Sequence, residues 1–82
     1  MNTIAIKIWL HEHGIKTNYS INHDRSVSVS EDVTLKLKSE ETEIPIQFAT
    51  IHGDFLCPKN NLTSFKGFPH TIHGSLYCHE QL

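Results

Sequence analysis

The sequence lacks a strong charge of either sign, a long apolar run and a cysteine framework, and each shortage closes a class of function. Seven basic residues against nine acidic ones leave a formal charge of −2. No basic stripe is present to neutralise a phosphate backbone, so nucleic-acid binding is not expected. The acidic excess is equally too small to argue for a mimic of nucleic acid. No apolar stretch approaches the roughly 20 residues of a membrane-spanning helix, so no membrane partner is expected. Met1 leads straight into a mixed Ile/Lys/Trp segment, with neither a basic leader nor a small-residue cleavage site, and the expected location is the cytoplasm. Two cysteines in such a chain read as reduced thiols. There is no glycine-rich phosphate loop. A chain of 82 residues makes one domain, 1–82, with a modest core.

What is present is an echo. Ile51-His52-Gly53-Asp54-Phe55-Leu56-Cys57 returns 21 residues later as Ile72-His73-Gly74-Ser75-Leu76-Tyr77-Cys78, with four of seven positions identical. A short fixed period is the mark of a stacked architecture, in which each unit buries its apolar side against its neighbours. Val29, Val33 and Leu35 match Ile51, Phe55 and Cys57 at an offset of 22, so a degenerate first unit precedes the two clear ones. The expected class is α+β, mostly β: a helix and hairpin leader over residues 1–30, then a miniature stack of short strands over 31–82.

Within the leader, residues 3–13 read as a helix capped by Asn2 or Thr3 and ended by Gly14, with Ile15 packing back on the last turn. Ile4, Ile8, Trp9 and Ala5 are its expected buried stripe, and a strand over 3–10 is the rival reading. Residues 17–22 and 26–30 alternate polar with apolar around His23-Asp24-Arg25, which predicts a hairpin with Tyr19, Ile21, Val27 and Val29 on one side. Ser26, Ser28 and Ser30 would face water or a partner. Residues 38–43 read as a solvated acidic loop, and Ile44 to Phe48, broken by Pro45, as a connector. After the second unit Leu62, Phe65 and Phe68 are spaced to turn inward from an irregular return punctuated by Gly67 and Pro69.

The run Phe55-x-Cys57-x-x-Asn60-x-Leu62 fits the leucine-rich-repeat core. With Gly53, Thr63, Ser64, Gly67 and Pro69 in step, the chain resembles bacteriophage-encoded and bacterial leucine-rich-repeat-like proteins. Lys38 and Gln81 stand where the first and third units would carry Asn. The resemblance implies a non-enzymatic protein-binding module, and its phage context implies a small inhibitor that sterically blocks a bacterial defence complex, anti-CRISPR-like in action, inside the bacterial host.

The candidate partner-binding residues follow from strand alternation. If Ile51, Gly53, Phe55 and Cys57 face the core, then His52, Asp54 and Leu56 face outward, followed on the next unit by His73, Ser75 and Tyr77. The terminal edge, with Leu76, Tyr77 and Cys78, is a second candidate surface and suits a homodimer. Gly53 and Gly74 read as close-packing positions, Asn60 as a turn residue bonding backbone, and Cys57 and Cys78 as a buried column. His70, His73, Cys78 and His79 offer zinc ligands by type, but their spacing matches no standard finger and alternation splits them. A zinc- or nucleic-acid-binding module is therefore the alternative, and a hydrolase built on Cys57 or Cys78 the third. No cofactor, metal ligand or catalytic residue is assigned.

Overall fold

The computed structural model describes residues 2–58 and 60–78; His79 and Gln81 lie outside them. The chain is α+β with more β than α, in the order α1 (Thr3–Glu12), β1 (Tyr19–Ile21), β2 (Val27–Val29), β3 (Val33–Thr34), β4 (Phe48–Ile51), β5 (Phe55–Leu56), β6 (Thr71–Ile72) and β7 (Leu76–Tyr77).

Helix α1 starts where Asn2 Oδ1 accepts the Ala5 N–H at 2.8 Å. It ends in a left-handed turn: Gly14 sits at φ +95°, its N–H reaches His11 O at 3.4 Å, and the Ile15 N–H reaches Leu10 O at 2.9 Å. That is the two-bond glycine stop, and it buries Ile15 beside Leu10. The buried stripe differs from the expected one. Ile6, Trp9, Leu10 and His13 face the core, while Ile4 and Ile8 are 70% and 55% exposed. Isoleucine at 4, 6 and 8 puts an apolar residue on both sides of the helix. The adjacent pair Trp9 and Leu10, the largest area to hide, selects the side.

The hairpin forms as expected, with Tyr19 opposite Val29 and Ile21 opposite Val27. Val27 and Val29 are buried; Tyr19 and Ile21 pack against the core as half-buried residues. Ser26 does not face water. It is buried, its hydroxyl donates to Asp24 Oδ1 at 2.6 Å, and Asn22 Nδ2 donates to Ser26 and Ser28 Oγ at 3.1 Å each. Polar residues of the turn thus fold back on the first serines of the strand, which alternation alone does not reveal.

The units stack as parallel rungs. Each rung is a strand, a bend and a second strand: β2 with β3, β4 with β5, β6 with β7. The first strands build a four-stranded sheet in the order β1-β2-β4-β6, and the second strands a three-stranded sheet, β3-β5-β7. Register runs Val29↔Ile51↔Ile72 in one sheet and Val33↔Phe55↔Leu76 in the other, which are the pairings that offsets of 22 and 21 predict. The same bonds recur between rungs: the Val33 N–H donates to Asp54 O at 2.8 Å and the Phe55 N–H to Ser75 O at 2.9 Å. Between Val27↔Phe48 and Val29↔Ile51 the register shifts by one residue, so the offset grows from 21 to 22 inside the sheet.

Phe48, Ile51, Phe55, Cys57, Leu35 and Leu62 share one buried core with Ile6, Trp9 and Leu10 of α1. Phe48 and Phe68 both meet Phe55 edge-on, at ring distances of 5.5 and 5.7 Å. Phe65, expected inside, is 57% exposed. A tight turn, with the Phe68 N–H on Phe65 O at 3.0 Å, brings Phe68 over the core and leaves Phe65 outside against it. Asn60 locks the preceding turn: its Nδ2 donates to Cys57 O and its Oδ1 accepts the Leu62 N–H at 3.1 Å.

The loop over 38–43 is not simply solvated. Glu41 places its carboxylate 2.8 and 3.0 Å from His13 Nε2, while His13 Nδ1 lies 2.6 Å from Trp9 O. Both ring nitrogens thus face oxygen atoms, which fixes the His13 ring between α1 and the loop. Its ring also stacks on Trp9 at 3.9 Å. Burial acts to raise the Glu41 pKa, but the Lys38 N–H and His13 outweigh it and hold the carboxyl below its ordinary value.

Candidate functional site

Because the rungs are in register, equivalent residues form columns. Three columns lie on the solvent side of the bends: Ser30, His52 and His73; Asp32, Asp54 and Ser75; Thr34, Leu56 and Tyr77. All six residues expected to meet a partner fall in these columns on the second and third rungs. His52, His73, Ser75 and Tyr77 are exposed, and Asp54 and Leu56 are half-buried.

The first column is set by backbone. The His52 N–H donates to Val29 O and the His73 N–H to Ile51 O, both at 2.9 Å, so the two side chains leave equivalent points one rung apart. Their rings stack at 4.8 Å between centroids with planes 9° apart.

The second column is a ladder of side chain to backbone. Asp32 Oδ1 accepts the Asp54 N–H at 2.7 Å, and Asp54 Oδ1 accepts the Ser75 N–H at 2.8 Å. Asp54 therefore works for the scaffold, holding the third rung's bend. Asp32 holds the second rung in the same way. In the sequence its role shows only through the offset of 22 that sets it one unit before Asp54. Glycine precedes both residues whose N–H donates to the ladder, Asp54 and Ser75, because there is no room for a Cβ. One on Gly53 would lie against the Asp32 carboxylate and 2.8 Å from the Asp32 backbone nitrogen. One on Gly74 would lie 2.7 Å from the Gly53 carbonyl. Real side chains do not approach that closely.

In the third column Leu56 and Tyr77 are paired residues of β5 and β7. The core-side column beside it runs Val33, Phe55, Leu76. The first two are buried, but Leu76 is 45% exposed.

One further feature went unread in the sequence. His52 lines an open cleft of about 260 Å³ together with Asn18, Tyr19, Ser20, Ser28, Val29 and Ser30. The hairpin builds its wall. Asn18, at φ +59°, accepts the Ser30 N–H at 2.8 Å and the Ser30 hydroxyl at 3.0 Å through its carbonyl. The Tyr19 hydroxyl is bonded to His11 Nε2 at 3.2 Å. Alternation of Ser28 and Ser30 with valine was the signal that this side is polar.

Burial and the neighbouring Cys78 thiol push the Cys57 pKa up to about 12, so Cys57 is a protonated, shielded thiol. Hydrogen bonds from the Ser26 side chain and backbone hold Asp24 below its ordinary value, a consequence of the turn. Among the described residues, no group of three or more His, Cys, Asp and Glu is placed to hold a metal ion, so His70, His73 and Cys78 do not assemble as a zinc set. Among the described residues no helix is long and apolar enough to cross a membrane.

No family model, curated protein or solved structure matches the chain.

Proposed function

We propose that this chain is a non-enzymatic protein-binding module, and that its contact surface is the strip formed by His52, Leu56, His73, Ser75 and Tyr77 with the adjoining cleft around Tyr19. The single observation that carries this reading is the in-register pairing of the two outward heptads. It sets two imidazoles side by side, and a leucine beside a tyrosine, on a backbone that hydrogen bonds and buried phenylalanines keep rigid. A preformed surface loses little entropy on binding. Tyrosine brings large contact area with a polar tip, which suits interfaces. Asp54 is left out of the contact set because its carboxylate is engaged in the ladder. Against an enzyme, Cys57 is held far from its thiolate form.

The partner class comes from the resemblance to phage-encoded repeat proteins: a bacterial defence complex, blocked sterically in the bacterial cytoplasm. The test is capture from bacterial lysate with tagged wild type and with a Leu56→Ala/Tyr77→Ala variant, beside a phage-restriction assay on expressing cells. Recovery of a defence component by wild type alone, with loss of restriction, is the expected result. Capture of no such component and intact restriction would remove the inhibitor reading.

A homodimer through the edge of β6 and β7 is the second reading, favoured by the exposure of Leu76 and Tyr77 there. Light scattering that shows a dimer abolished by Leu76→Lys would support it; a monomer at high concentration would dismiss it.

A further inference from the structure

We propose that His52 and His73 form a two-histidine site for a late first-row divalent cation, with Cu²⁺ the preferred ion and Zn²⁺ next. The site is independent of whether a protein docks on the same strip. Four observations carry it. The rings belong to in-register rungs and leave the backbone from equivalent positions. They lie 4.8 Å apart with nearly parallel planes, close enough for one ion to reach both. Both are exposed, so a hydrated ion can reach the rings from solvent. The scaffold beneath them is braced on both sides of the bend, by the His73 N–H on Ile51 O and by the Ser75 N–H on Asp54.

The stacked arrangement is the ion-free one. Metal–imidazole bonds of about 2.0–2.1 Å at tetrahedral or square angles need donor nitrogens about 3 Å apart. Turning each ring about its own side-chain torsions, which are broad for histidine, lets the nitrogens converge on a point between the rungs. Among the described residues no third His, Cys, Asp or Glu joins the pair, so water fills the remaining positions. Such a site is open, in contrast to a closed structural zinc site. Imidazole donors favour copper, nickel and zinc and give no hold on Mg²⁺ or Ca²⁺, and among the former Cu²⁺ binds most tightly. The ligands must be neutral, so binding weakens as pH falls. One ligand comes from each of the last two rungs, so the bound ion ties the third rung to the second and stabilises the fold by mass action.

The test is calorimetric titration of the whole chain with Cu²⁺ at neutral pH, with Zn²⁺ for comparison and Mg²⁺ as control. One equivalent of Cu²⁺ should bind, Mg²⁺ should not, and Cu²⁺ should raise the thermal midpoint. His52→Gln and His73→Gln should each weaken Cu²⁺ binding about a hundredfold, because the second bond of a chelate forms at high effective concentration. They should also abolish the midpoint shift while leaving the metal-free midpoint near that of wild type. His70→Gln and His23→Gln should change nothing. A measurement on unmutated protein stands beside these: substoichiometric Cu²⁺ should broaden the ring resonances of His52 and His73 before those of any other histidine. The proposal is overturned if affinity follows His70 or His79 instead, if both glutamine variants bind as wild type does, or if Cu²⁺ broadens all exposed histidines alike.

Discussion

Replacing Gly53 by alanine tests the rung architecture at its tightest point. The added Cβ would meet the Asp32 carboxylate, and it would also lie 2.8 Å from the Asp32 backbone nitrogen and 3.0 Å from its Cα. The carboxylate can swing away, but only by releasing the Asp54 N–H that it holds at 2.7 Å. The backbone can move only if the first and second rungs separate. Forcing a methyl group into a packed site costs about 1–3 kcal/mol, and losing the charge-assisted bond about 1 kcal/mol more at this exposed position. Against a total stability of roughly 4–12 kcal/mol for a chain of this size, that is a large share. Urea unfolding followed by Trp9 fluorescence measures it. Asp32→Ala alone should cost about 1 kcal/mol, since water can replace the carboxylate. The double variant should fall short of the sum of the two by about 0.5 kcal/mol or more, because Asp32→Ala removes one of the two obstacles to the new methyl group. The backbone obstacle persists, so rescue stays partial. If Gly53→Ala were within about 0.5 kcal/mol of wild type, the close approach of the bends would be refuted, and the register argument with it.

Other outcomes follow from the same geometry. Phe55→Ala should destabilise by about 3–5 kcal/mol, whereas Leu76→Ala in the same column, half open to solvent, should cost under about 1.5 kcal/mol; equal losses by urea titration would contradict the burial gradient along the stack. Glu41→Ala removes the carboxylate that buried His13 Nε2 contacts at 2.8 Å and should cost about 1–3 kcal/mol, with the loss limited because the Glu41 side chain is 18% exposed. Glu41 has a lowered folded-state pKa, so its contribution is complete above the ordinary carboxylate range and is lost as pH falls through the lower folded value. Acidification should therefore erode wild type more steeply than Glu41→Gln, and parallel pH profiles would count against the pair. Cys57 should resist alkylation at neutral pH until the chain unfolds; rapid native-state labelling at Cys57, mapped by mass spectrometry, would show that its shielding is overstated.

The stack was legible because a parallel sheet repeats its side-chain environment at a fixed chain interval. Val29, Ile51 and Ile72 must be alike if they share a column, and the sequence shows that they are. The glycines and Asn60 were legible for the same reason: close approach and a turn bond each admit few residue types. The helix ends were readable from Asn2 and Gly14, since capping is local. The helix face was not. Isoleucine at 4, 6 and 8 leaves two apolar sides, and only burial of Trp9 and Leu10 in the shared core selects between them. Phe65 was misplaced because spacing in an irregular return carries no period, and Ser26 because its partners lie in the turn before it.

Of the outward strip, the composition of the columns was readable, but the work each residue does was not. Alternation places Asp54 outward as an acidic contact, whereas its carboxylate is taken up by the Ser75 N–H. His13 and Glu41 are 28 residues apart and belong to no shared pattern. By itself, then, the amino-acid order determined the rungs and their register, because these follow from periodicity and from short-range backbone chemistry. The helix face, the His13–Glu41 pair, the carboxylate ladder and the stacked histidines were decided only when distant segments came together, because hydrogen bonds and ring contacts depend on positions in space that no local pattern encodes.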